Sequence, residues 1–421
     1  MQPLRVLLLG GGGREHAIAW RLAQSPHLAR LFAAPGNPGI AAHATLVPEL
    51  DILDPDAVAR WAQAQGIDLV VPGPEAPLVA GVADAVTARG IAVAGPSRAA
   101  ARLEASKAFT KELCAEAGIP TARWARFDAL APALAYVRAQ GAPIVVKADG
   151  LAAGKGVTVA ATLAEAEAAL ARLVAQGLTP VVVEECLAGE EASFFVAAHG
   201  TTAVPLLAAQ DHKRLGEGDT GPNTGGMGAV APVTALTPET ARRVMECIVR
   251  PTLQALAARG VEYRGILFAG LMLTEDGPRL LEWNVRLGDP EAQALMMLLE
   301  SDLLELLWAV ATGGLERMSL GWAPGRAIAV TVAARGYPAA PATGAEIGGL
   351  ADCGATVFHA GTSLNAGRLV AAGGRVLTVA ARAGTLREAA AQAYAAIERI
   401  SFADAVFRRD IGWRELAREA P

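Results

Sequence analysis

Residues 282–291 of this chain read EWNVRLGDPE and follow a run of apolar residues that is interrupted once, by TEDGP at positions 274–278. Such an interruption is typical of a hairpin turn between two buried strands. The alternation of side chains along the second strand predicts that Glu282, Asn284 and Arg286 lie on one face. A carboxylate and an amide oxygen side by side suit Mg²⁺ or Mn²⁺. A guanidinium two residues further on can stabilise charge on a transferred phosphoryl group.

The alternative interpretation of this pattern is an ordinary strand with a solvated polar face. Residues 288–291 (GDPE) favour a functional site, because a stiff and acidic segment is unusual where a plain strand ends. The sequence therefore predicts that a metal ion and a phosphoryl group meet at the end of this strand.

Composition restricts the class of protein. With 421 residues, of which 52% are hydrophobic and 19% charged, the chain has material for roughly two to four domains with their own cores. A net charge of −5 predicts no nucleic-acid partner, and the absence of a long apolar window predicts no membrane span. The first residues predict a strand rather than a signal peptide. Four scattered cysteines indicate reduced thiols in a cytoplasmic protein, without a disulfide framework or a zinc site.

The basic residues are almost all arginines. Of 37 basic residues only five are lysines, namely Lys107, Lys111, Lys147, Lys155 and Lys213. Because a compact ammonium group is not equivalent to a forked guanidinium, each of these lysines is a candidate for a specific role.

Residues 1–100 predict an α/β domain with parallel strands at 6–9, 31–34, 69–71 and 91–94, each followed by a loop rich in glycine and proline. The first loop contains Gly11, Gly12 and Gly13 before a helical pattern. Glycines between a strand and a helix expose N–H groups that favour an anion. They predict a phosphate or substrate loop, with a merely tight turn as the alternative. NAD binding is disfavoured, because G-x-G-x-x-G would need glycine where Glu15 or His16 stands.

Residues 101–190 predict a small α/β lobe. The pattern indicates one helix over 101–117, strands at 143–147, 157–159 and 180–185, and a helix that is capped by Thr162 and Glu165. The loop at 148–156 (ADGLAAGKG) can close over a triphosphate with its N–H groups and Lys155. An exposed loop lysine is the alternative, but the scarcity of lysine and the position of Lys147 at a strand end favour a nucleotide.

The next segment predicts strands at 193–198 and 203–207, and helices over 237–259 and 291–313. Residues 211–228 predict a long polar loop without a core-forming run, which could shape a site for a small zwitterion and a sugar phosphate. The loop's candidate residues are Asp211, Lys213, Arg214, Asp219 and Asn223. A mobile surface excursion is the alternative.

Residues 326–421 predict a separate α+β domain with strands at 327–332, 356–359, 368–370 and 375–379, and a helix capped by Thr385 and Glu388. The expected architecture is therefore α/β and multidomain. It consists of an N-terminal parallel domain (1–100), a two-lobed core (101–325) with a mobile lid at about 123–190, and the C-terminal domain (326–421).

The order of these features resembles the ATP-grasp superfamily. More narrowly, the chain resembles the glycinamide ribonucleotide synthetase family from end to end. The segments that carry this resemblance are GGGREH at 11–16, VPGPEAPL at 71–78, SKAFTK at 106–111, KADGLAAGKG at 147–156, QDHKR at 210–214 and RLGDPEAQ at 286–293. The last segment is the most specific of them.

The resemblance implies a role for each matching residue. Contacts with ATP are implied for Lys107, Lys147, Lys155, Glu184, Glu185, Leu187 and Glu191. Metal ligands are implied at Glu282 and Asn284, and catalytic groups at Arg286, Lys155 and Asp211. Substrate contacts are implied for Gly11, Gly12, Gly13, Lys213, Asn223, Asp289 and Pro290. The acidic metal ligand that many superfamily members carry on the preceding strand is missing from residues 268–271 (FAGL).

The activity that the resemblance implies is the ATP-dependent ligation of glycine to 5-phosphoribosylamine through glycyl phosphate, a step of purine biosynthesis. A cytoplasmic monomer that uses Mg²⁺ or Mn²⁺ is expected, with small molecules as its partners. Two alternatives stay open. One is another ATP-grasp ligase or a carboxylase that acts on biotin or an aminoimidazole ribotide, and the other is a nucleotide-gated binding module without chemistry.

Overall fold

The computed structural model describes residues 2–151 and 156–419 of the chain. Its N-terminal part contains β1 (Leu4–Gly10), α1 (Gly13–Leu22), β2 (Leu28–Pro35), a 3-10 helix (Ile40–Ala42), β3 (Thr45–Leu46), α2 (Pro55–Ala64), β4 (Leu69–Pro72), α3 (Glu75–Ala80), α4 (Val82–Thr87) and β5 (Ala92–Val93). The strands form one parallel sheet in the order β3-β2-β1-β4-β5. This confirms the parallel α/β fold that was predicted for this region.

The single helix predicted over residues 101–117 is wrong, because the chain forms two helices there, α5 (Arg98–Ala105) and α6 (Lys107–Ala117). The break falls at Ser106, whose backbone is extended and whose hydroxyl accepts a hydrogen bond from the N–H of Phe109 at 3.1 Å. Serine is a preferred N-cap residue, so α6 begins anew and places Lys107 in its first turn.

The following lobe contains β6 (Trp124–Phe127), α7 (Leu130–Gln140), β7 (Ile144–Ala148), β8 (Val157–Ala160), α8 (Leu163–Ala175) and β9 (Val181–Glu185). Its antiparallel sheet has the order β6-β9-β7-β8. The capping box of Thr162 and Glu165 is confirmed at the start of α8. The two helices and the sheet share a small hydrophobic core that is separate from the two larger ones. We call this unit the lid lobe.

A four-stranded antiparallel sheet lies next in the chain. It contains β10 (Glu190–His199), β11 (Thr202–Pro205), β16 (Arg264–Thr274) and β17 (Gly277–Asn284), in the order β11-β10-β16-β17. The hairpin predicted from TEDGP is confirmed, since β16 and β17 pair antiparallel across that turn. One edge of this sheet is therefore the strand that carries the predicted metal ligands.

The helix predicted over residues 237–259 is confirmed as one continuous helical segment that contains a π-helical turn. Residues 238–258 form α9 (Pro238–Val244), a π-helical turn (Met245–Val249) and α10 (Arg250–Ala258). The one helix predicted over 291–313 is wrong, because α11 (Glu291–Leu298) and α12 (Leu303–Thr312) are separate. Asp302 causes the restart, since its carboxylate accepts hydrogen bonds from the N–H groups of the first turn of α12.

The C-terminal part contains β18 (Arg326–Ala333), β19 (Ile347–Gly348), β20 (Thr356–His359), β21 (Thr362–Asn365), β22 (Arg368–Ala371), β23 (Arg375–Ala383), α13 (Leu386–Arg399), β24 (Ser401–Phe402) and α14 (Trp413–Arg418). A further 3-10 helix (Leu315–Arg317) precedes it. The four predicted strands and the helix capped by Thr385 are confirmed. In the described part of the chain, no helix is both long and apolar enough to cross a membrane.

The prediction of a long polar loop over residues 211–228 is wrong, because the segment contains strands. The segment is a folded excursion with β12 (Gln210–Asp211), β13 (Arg214–Gly216), β14 (Thr220–Asn223) and β15 (Gly228–Ala231). β13 and β14 pair as a hairpin, while β12 and β15 extend the C-terminal sheet in the order β12-β15-β18-β23-β20. The segment is joined to the sheet by β15, which pairs with β18, a strand more than 90 residues away that local composition does not reveal.

Candidate active site

Glu282 and Asn284 lie near the end of β17, opposite Gly270 and Phe268 of β16. Gly270, directly opposite Glu282, has no side chain, and a Cβ at that position would be in ordinary van der Waals contact with Glu282 Cγ at 3.4 Å. The neighbouring strand therefore gives Glu282 no acidic neighbour, as the sequence FAGL indicated. The predicted metal ligands therefore both stand on β17.

Four cationic side chains surround Glu282, namely those of Lys107, Lys147, Lys213 and Arg286. Burial opposes ionisation of a carboxyl group, but these charges outweigh it and lower the pKa of Glu282. Lys147, Lys213 and Arg286 are each paired directly with a different carboxylate. Within the described residues, Glu282 has no basic partner at 4 Å or less, so it is an ionised carboxylate whose oxygens are open to a ligand.

This donor set fits a divalent metal ion. Asn284 is buried, and its Oδ1 accepts a hydrogen bond from Arg286 Nη2 at 3.1 Å, which leaves a second lone pair. One carboxylate and one amide oxygen are enough for Mg²⁺, because it usually keeps water and substrate phosphates among its ligands. Glu282 and Asn284 could therefore hold the ion, provided that a phosphate supplies further oxygens.

Arg286 is clamped by two carboxylates that the sequence reasoning missed. Its Nη2 donates to Glu104 Oε1 at 2.6 Å, and its Nε donates to Glu75 Oε2 at 3.1 Å. Glu104 also accepts from the backbone N–H of Val285 at 2.8 Å. Burial opposes the charge of Arg286, but these carboxylates raise its pKa above the usual value. The guanidinium is thus fixed in one orientation beside Asn284. Glu75 stood in the quoted segment VPGPEAPL, whereas nothing local marked Glu104.

The predicted nucleotide residues lie where the lid lobe meets β17. Lys107 Nζ donates to the carbonyl of Gly150 at 3.0 Å, and Lys147 Nζ donates to the carbonyl of Leu281 at 3.3 Å. Both lysines therefore approach the strand of Glu282 from the lid side. Lys155 lies outside the described residues, so its predicted contact with the triphosphate stays a prediction.

The segment predicted for adenine contacts lies at the end of β9. The Glu184 side chain is buried against Lys147, with 2.9 Å between Oε1 and Nζ. The Glu185 carboxylate accepts from Arg123 and lies 3.4 Å from Arg279. Both carboxylates already have basic partners, and the predicted contact of these two residues with adenine, mostly through their backbone, stays a prediction. Leu187 follows in the connection to β10.

The folded excursion brings Asp211 and Lys213 to the same place. Lys213 Nζ contacts Glu191 Oε2 at 2.8 Å and lies 4.0 Å from Asp211 Oδ1. Burial raises the pKa of Asp211 to about 7, with Lys213 opposing and the charges of Glu291 and Glu191 adding to the rise. Glu291, which is buried and accepts from Ser193 Oγ at 3.1 Å, is a further carboxylate whose proximity the sequence reasoning missed.

Other polar residues of the excursion serve its own structure. Asp219 lies 2.9 Å from both Arg408 and Arg414, so its carboxylate anchors the tip of the hairpin to the C-terminal part. Asn223 ends β14, where it pairs with Arg214. The predicted substrate contact of Asn223 therefore stays a prediction.

The glycine loop encloses a glutamate. The N–H of Gly12 donates to Glu15 Oε2 at 2.6 Å, and the Glu15 carboxylate also accepts from Arg14 Nε at 2.6 Å. A Cβ at Gly10, Gly12 or Gly73 would lie less than 3 Å from the Glu15 side chain. Glycine is thus required at these positions because a larger residue would collide with Glu15. The N–H of Gly12, one of the groups predicted to bind an anion, already donates to Glu15.

The glycine loop nevertheless faces the segment that follows β17. Arg14 Nη1 donates to the carbonyl of Leu287 at 3.0 Å, and a Cβ on Gly12 would lie 3.6 Å from Asp289 Oδ2. The pKa of Asp289 is lowered, since Arg375, Arg14 and Arg286 outweigh its burial. The predicted substrate residues Gly12 and Asp289 therefore lie close together. Arg375 of the C-terminal part, another residue that the sequence did not indicate, contacts Asp289.

These observations define a class of enzyme. A lid lobe with its own core meets an antiparallel sheet whose edge strand carries the carboxylate of Glu282 among lysines, and this is the organisation of the ATP-grasp enzymes. Comparison with family models agrees: the ATP-grasp (A) domain of phosphoribosylglycinamide synthetase matches residues 105–292, and its N and C domains match residues 4–104 and 327–414.

Relatives of known name narrow the identification. Phosphoribosylamine–glycine ligases of Mesorhizobium japonicum and Agrobacterium fabrum are 57% and 55% identical, and each match spans 99% of this chain and at least 99% of the relative. The crystal structure of the phosphoribosylamine–glycine ligase of Thermotoga maritima is similar with a TM-score of 0.86 and 34% identity, over 97% of this chain and all of that one. The chain therefore belongs to the phosphoribosylglycinamide synthetase family.

A more distant likeness concerns the fold alone. The biotin carboxylase domain of the Hydrogenobacter thermophilus 2-oxoglutarate carboxylase, solved with MgADP and bicarbonate, has a TM-score of 0.73 over 96% of this chain and 92% of that one, with 18% identity. The same architecture thus serves different chemistry, so the reaction must be inferred from the side chains.

Proposed function

We propose that the protein ligates glycine to 5-phosphoribosylamine and converts one ATP to ADP and phosphate. The observation that carries the proposal is the convergence on Glu282 of Lys107, Lys147, Lys213 and Arg286 at the open end of β17. Such a constellation suits a Mg·ATP complex, whose negative charge the cations balance. Membership of the family supports glycine and the phosphoribosylamine as the two other substrates.

In the first step a carboxylate oxygen of glycine attacks the γ-phosphorus of ATP, the bond to the β-phosphate oxygen breaks, and glycyl phosphate and ADP result. The protein contributes position and charge. Lys107 and Lys147 neutralise the phosphates, and the clamped Arg286 offsets charge on the transferred group. Glu282 and Asn284 would hold the divalent metal, which neutralises phosphate oxygens when it is bound.

In the second step the amine nitrogen of phosphoribosylamine attacks the carbonyl carbon of glycyl phosphate. The C–N bond forms, the bond between that carbon and the phosphate oxygen breaks, and inorganic phosphate leaves. The attacking amine loses a proton, and Asp211 suits its acceptance because its pKa lies close to neutrality. Lys213, beside Asp211, is placed to bind the leaving phosphate.

The remaining assignments concern binding. The loop of Gly11 and Gly13, together with Asp289 and Pro290, is proposed to bind the ribose 5-phosphate, because these segments face each other across one region. Adenine is proposed to lie against the connection that follows β9, and the ribose of ATP near Glu191. Lys155 completes the phosphate contacts in this proposal. Mg²⁺ or Mn²⁺ serves as the metal, and the protein acts as a monomer.

The test is the release of ADP by the purified protein with Mg·ATP and different acceptors. Release that requires glycine and phosphoribosylamine together, with one ADP per amide formed, is the expected result. Release that depends on bicarbonate would instead identify a carboxylase, and binding of ATP without release under any condition would identify a nucleotide-gated module. A parallel titration with nicotinamide cofactors is expected to show no binding.

A further inference from the structure

The proposed function uses four of the five lysines of the chain, and Lys111 is the fifth. Its side chain is only 2% exposed and lies on α6, one helical turn after Lys107. Because lysine is rarely buried without a partner, and this chain uses arginine for almost every positive charge, a buried lysine at this place calls for an explanation.

Lys111 is part of a buried row of three charges. Its Nζ donates to Glu184 Oε2 at 2.9 Å, and the other carboxylate oxygen, Oε1, lies 2.9 Å from Lys147 Nζ. The Glu184 and Lys147 side chains are 2% and 7% exposed. One carboxylate therefore lies between two ammonium groups that come from α6 and from the lid strand β7.

The two contacts of Glu184 differ in kind. Lys111 makes a directional hydrogen bond to Oε2, whereas Glu184 Oε1 has no partner with hydrogen-bond geometry among the described residues, although Lys147 lies nearby. The Lys147 ammonium instead donates to the carbonyl of Leu281, the residue before Glu282. Lys111 thus holds the carboxylate of Glu184 in place, while the ammonium group of Lys147 contacts β17.

Charge balance explains why a third group is needed. A buried pair of Glu184 and Lys147 alone would be neutral and would attract a triphosphate only weakly. With Lys111 added, the row carries one net positive charge, and of its two ammonium groups that of Lys147 acts on the charge of Glu282. The row is also fastened to β17, since Lys111 Nζ donates to Thr121 Oγ1 at 2.7 Å and that hydroxyl donates to the carbonyl of Leu280 at 2.6 Å.

We propose that Lys111 is a positioning residue for nucleotide binding, which holds and compensates Glu184 so that Lys147 keeps its positive charge for the triphosphate. The proposal rests on the proposed function, because it takes Lys147 to face ATP. A purely structural ion pair is the competing explanation, and it predicts an effect on stability without a specific effect on ATP.

The experiment is a double-mutant cycle on the full chain, with Lys111→Met, Glu184→Gln and the double variant. Affinity for ATP is measured by calorimetry, and KM for ATP, KM for glycine and kcat are measured in the ligase assay. Lys111→Met is expected to weaken ATP binding roughly tenfold or more, since Glu184 then cancels the charge of Lys147, with KM for glycine unchanged. The double variant restores one net positive charge in the row and is expected to recover most of the lost affinity.

Two further variants control the cycle. Lys111→Arg keeps the charge and is expected to bind ATP nearly as tightly as the unaltered protein. Arg123→Met breaks an ion pair with the neighbouring Glu185, but the Arg123 side chain is 81% exposed, so ATP affinity is expected to stay constant. Thermal unfolding is recorded for every variant, and Lys111→Gln replaces Lys111→Met if the latter is not recovered folded.

Equal ATP affinity in Lys111→Met and the unaltered protein would overturn the proposal, and so would a double variant that binds ATP no better than Lys111→Met. An equal rise in KM for ATP and glycine would show a structural role only. If the unaltered protein itself binds no ATP, the proposed function fails, and this result is distinguishable because it needs no variant.

Discussion

The guanidinium of Arg375 holds Asp289 at two points, through the backbone carbonyl at 2.5 Å and through carboxylate Oδ2 at 3.0 Å. The same Nη1 donates to the carbonyl of Gly225 at 2.6 Å, and the N–H of Gly225 donates to the hydroxyl of Tyr337 at 2.9 Å. The C-terminal part of the chain therefore fixes two segments of the candidate active site, one after β17 and one within the folded excursion.

Replacement of Arg375 by Ala is expected to lower kcat/KM for phosphoribosylamine by up to about a hundredfold, because misplacing a binding segment by an ångström can cost that much. KM for ATP should change little, since the lysines around Glu282 lie on other elements. Steady-state kinetics with each substrate varied in turn measures both effects.

The control for this prediction is Arg368→Ala. Arg368 also belongs to the C-terminal part and pairs with Glu346 at 3.2 Å, but its side chain is 72% exposed. Its loss should leave the kinetics unchanged. If Arg375→Ala raised KM for ATP as much as KM for phosphoribosylamine, the idea of a local effect on the substrate segments would be wrong.

Replacement of Glu282 by Gln separates metal binding from attraction of the nucleotide. Turnover is expected to fall on the order of 10²- to 10³-fold, as for loss of other charge-stabilising groups. Metal-free ATP should bind more tightly than to the unaltered protein, because a negative charge among four cations is removed. Calorimetry with and without Mg²⁺ gives the affinity for Mg·ATP and the affinity for metal-free ATP. Glu275→Gln, in the exposed hairpin turn, is the matched control. Unchanged turnover in Glu282→Gln would contradict the metal assignment.

Some of this site could be predicted because strand geometry is local. The two-residue spacing of Glu282 and Asn284 determines their common face once the hairpin is recognised. The scarcity of lysine was a second local signal, and Lys107, Lys147 and Lys213 do surround Glu282.

The groups that orient Arg286 could not be predicted. Glu104 and Glu75 are 182 and 211 residues away from Arg286, and only tertiary packing brings them to its guanidinium. The helix breaks at Ser106 and Asp302 had a local signal, since both residues are good N-caps. The apolar periodicity continues across both positions, however, and by itself favours one uninterrupted helix in each case.

The histidines near the glycine loop predict a loss of stability in acid. Burial, with His359 and His43 nearby, lowers the pKa of His16 to about 3, and burial lowers the pKa of His359 to about 4. Histidine in the unfolded chain titrates near 6.5, so the unfolded state binds more protons below that pH. The contribution of these histidines to the free energy of unfolding is therefore complete above a pH of about 6.5. It is lost as the pH falls toward their pKa values in the folded protein, and for His16 alone the loss is about 2 kcal/mol at pH 5.

The measurement is the thermal unfolding midpoint at pH 8 and pH 5. His16→Gln keeps an oxygen that can accept from the N–H of His359, which now donates to His16 Nδ1 at 2.7 Å. The variant should show a smaller drop in midpoint between the two pH values. The comparison at pH 8, where the imidazoles are neutral, is the internal control. An equal drop in both proteins would assign the acid sensitivity to other groups.

Asp211 predicts the pH dependence of the second chemical step. Burial raises its pKa to about 7, so the carboxylate form that accepts a proton becomes populated as the pH rises through neutrality. We expect kcat to increase between about pH 6 and 8 and then to level off.

Asp211→Asn should lower kcat on the order of 10²-fold, in line with the loss of a general base, and should flatten this profile, while ADP affinity stays the same. Asp128→Asn, at a side chain that is 73% exposed, should keep both the rate and the profile. A profile that persists in Asp211→Asn would show that another group accepts the proton.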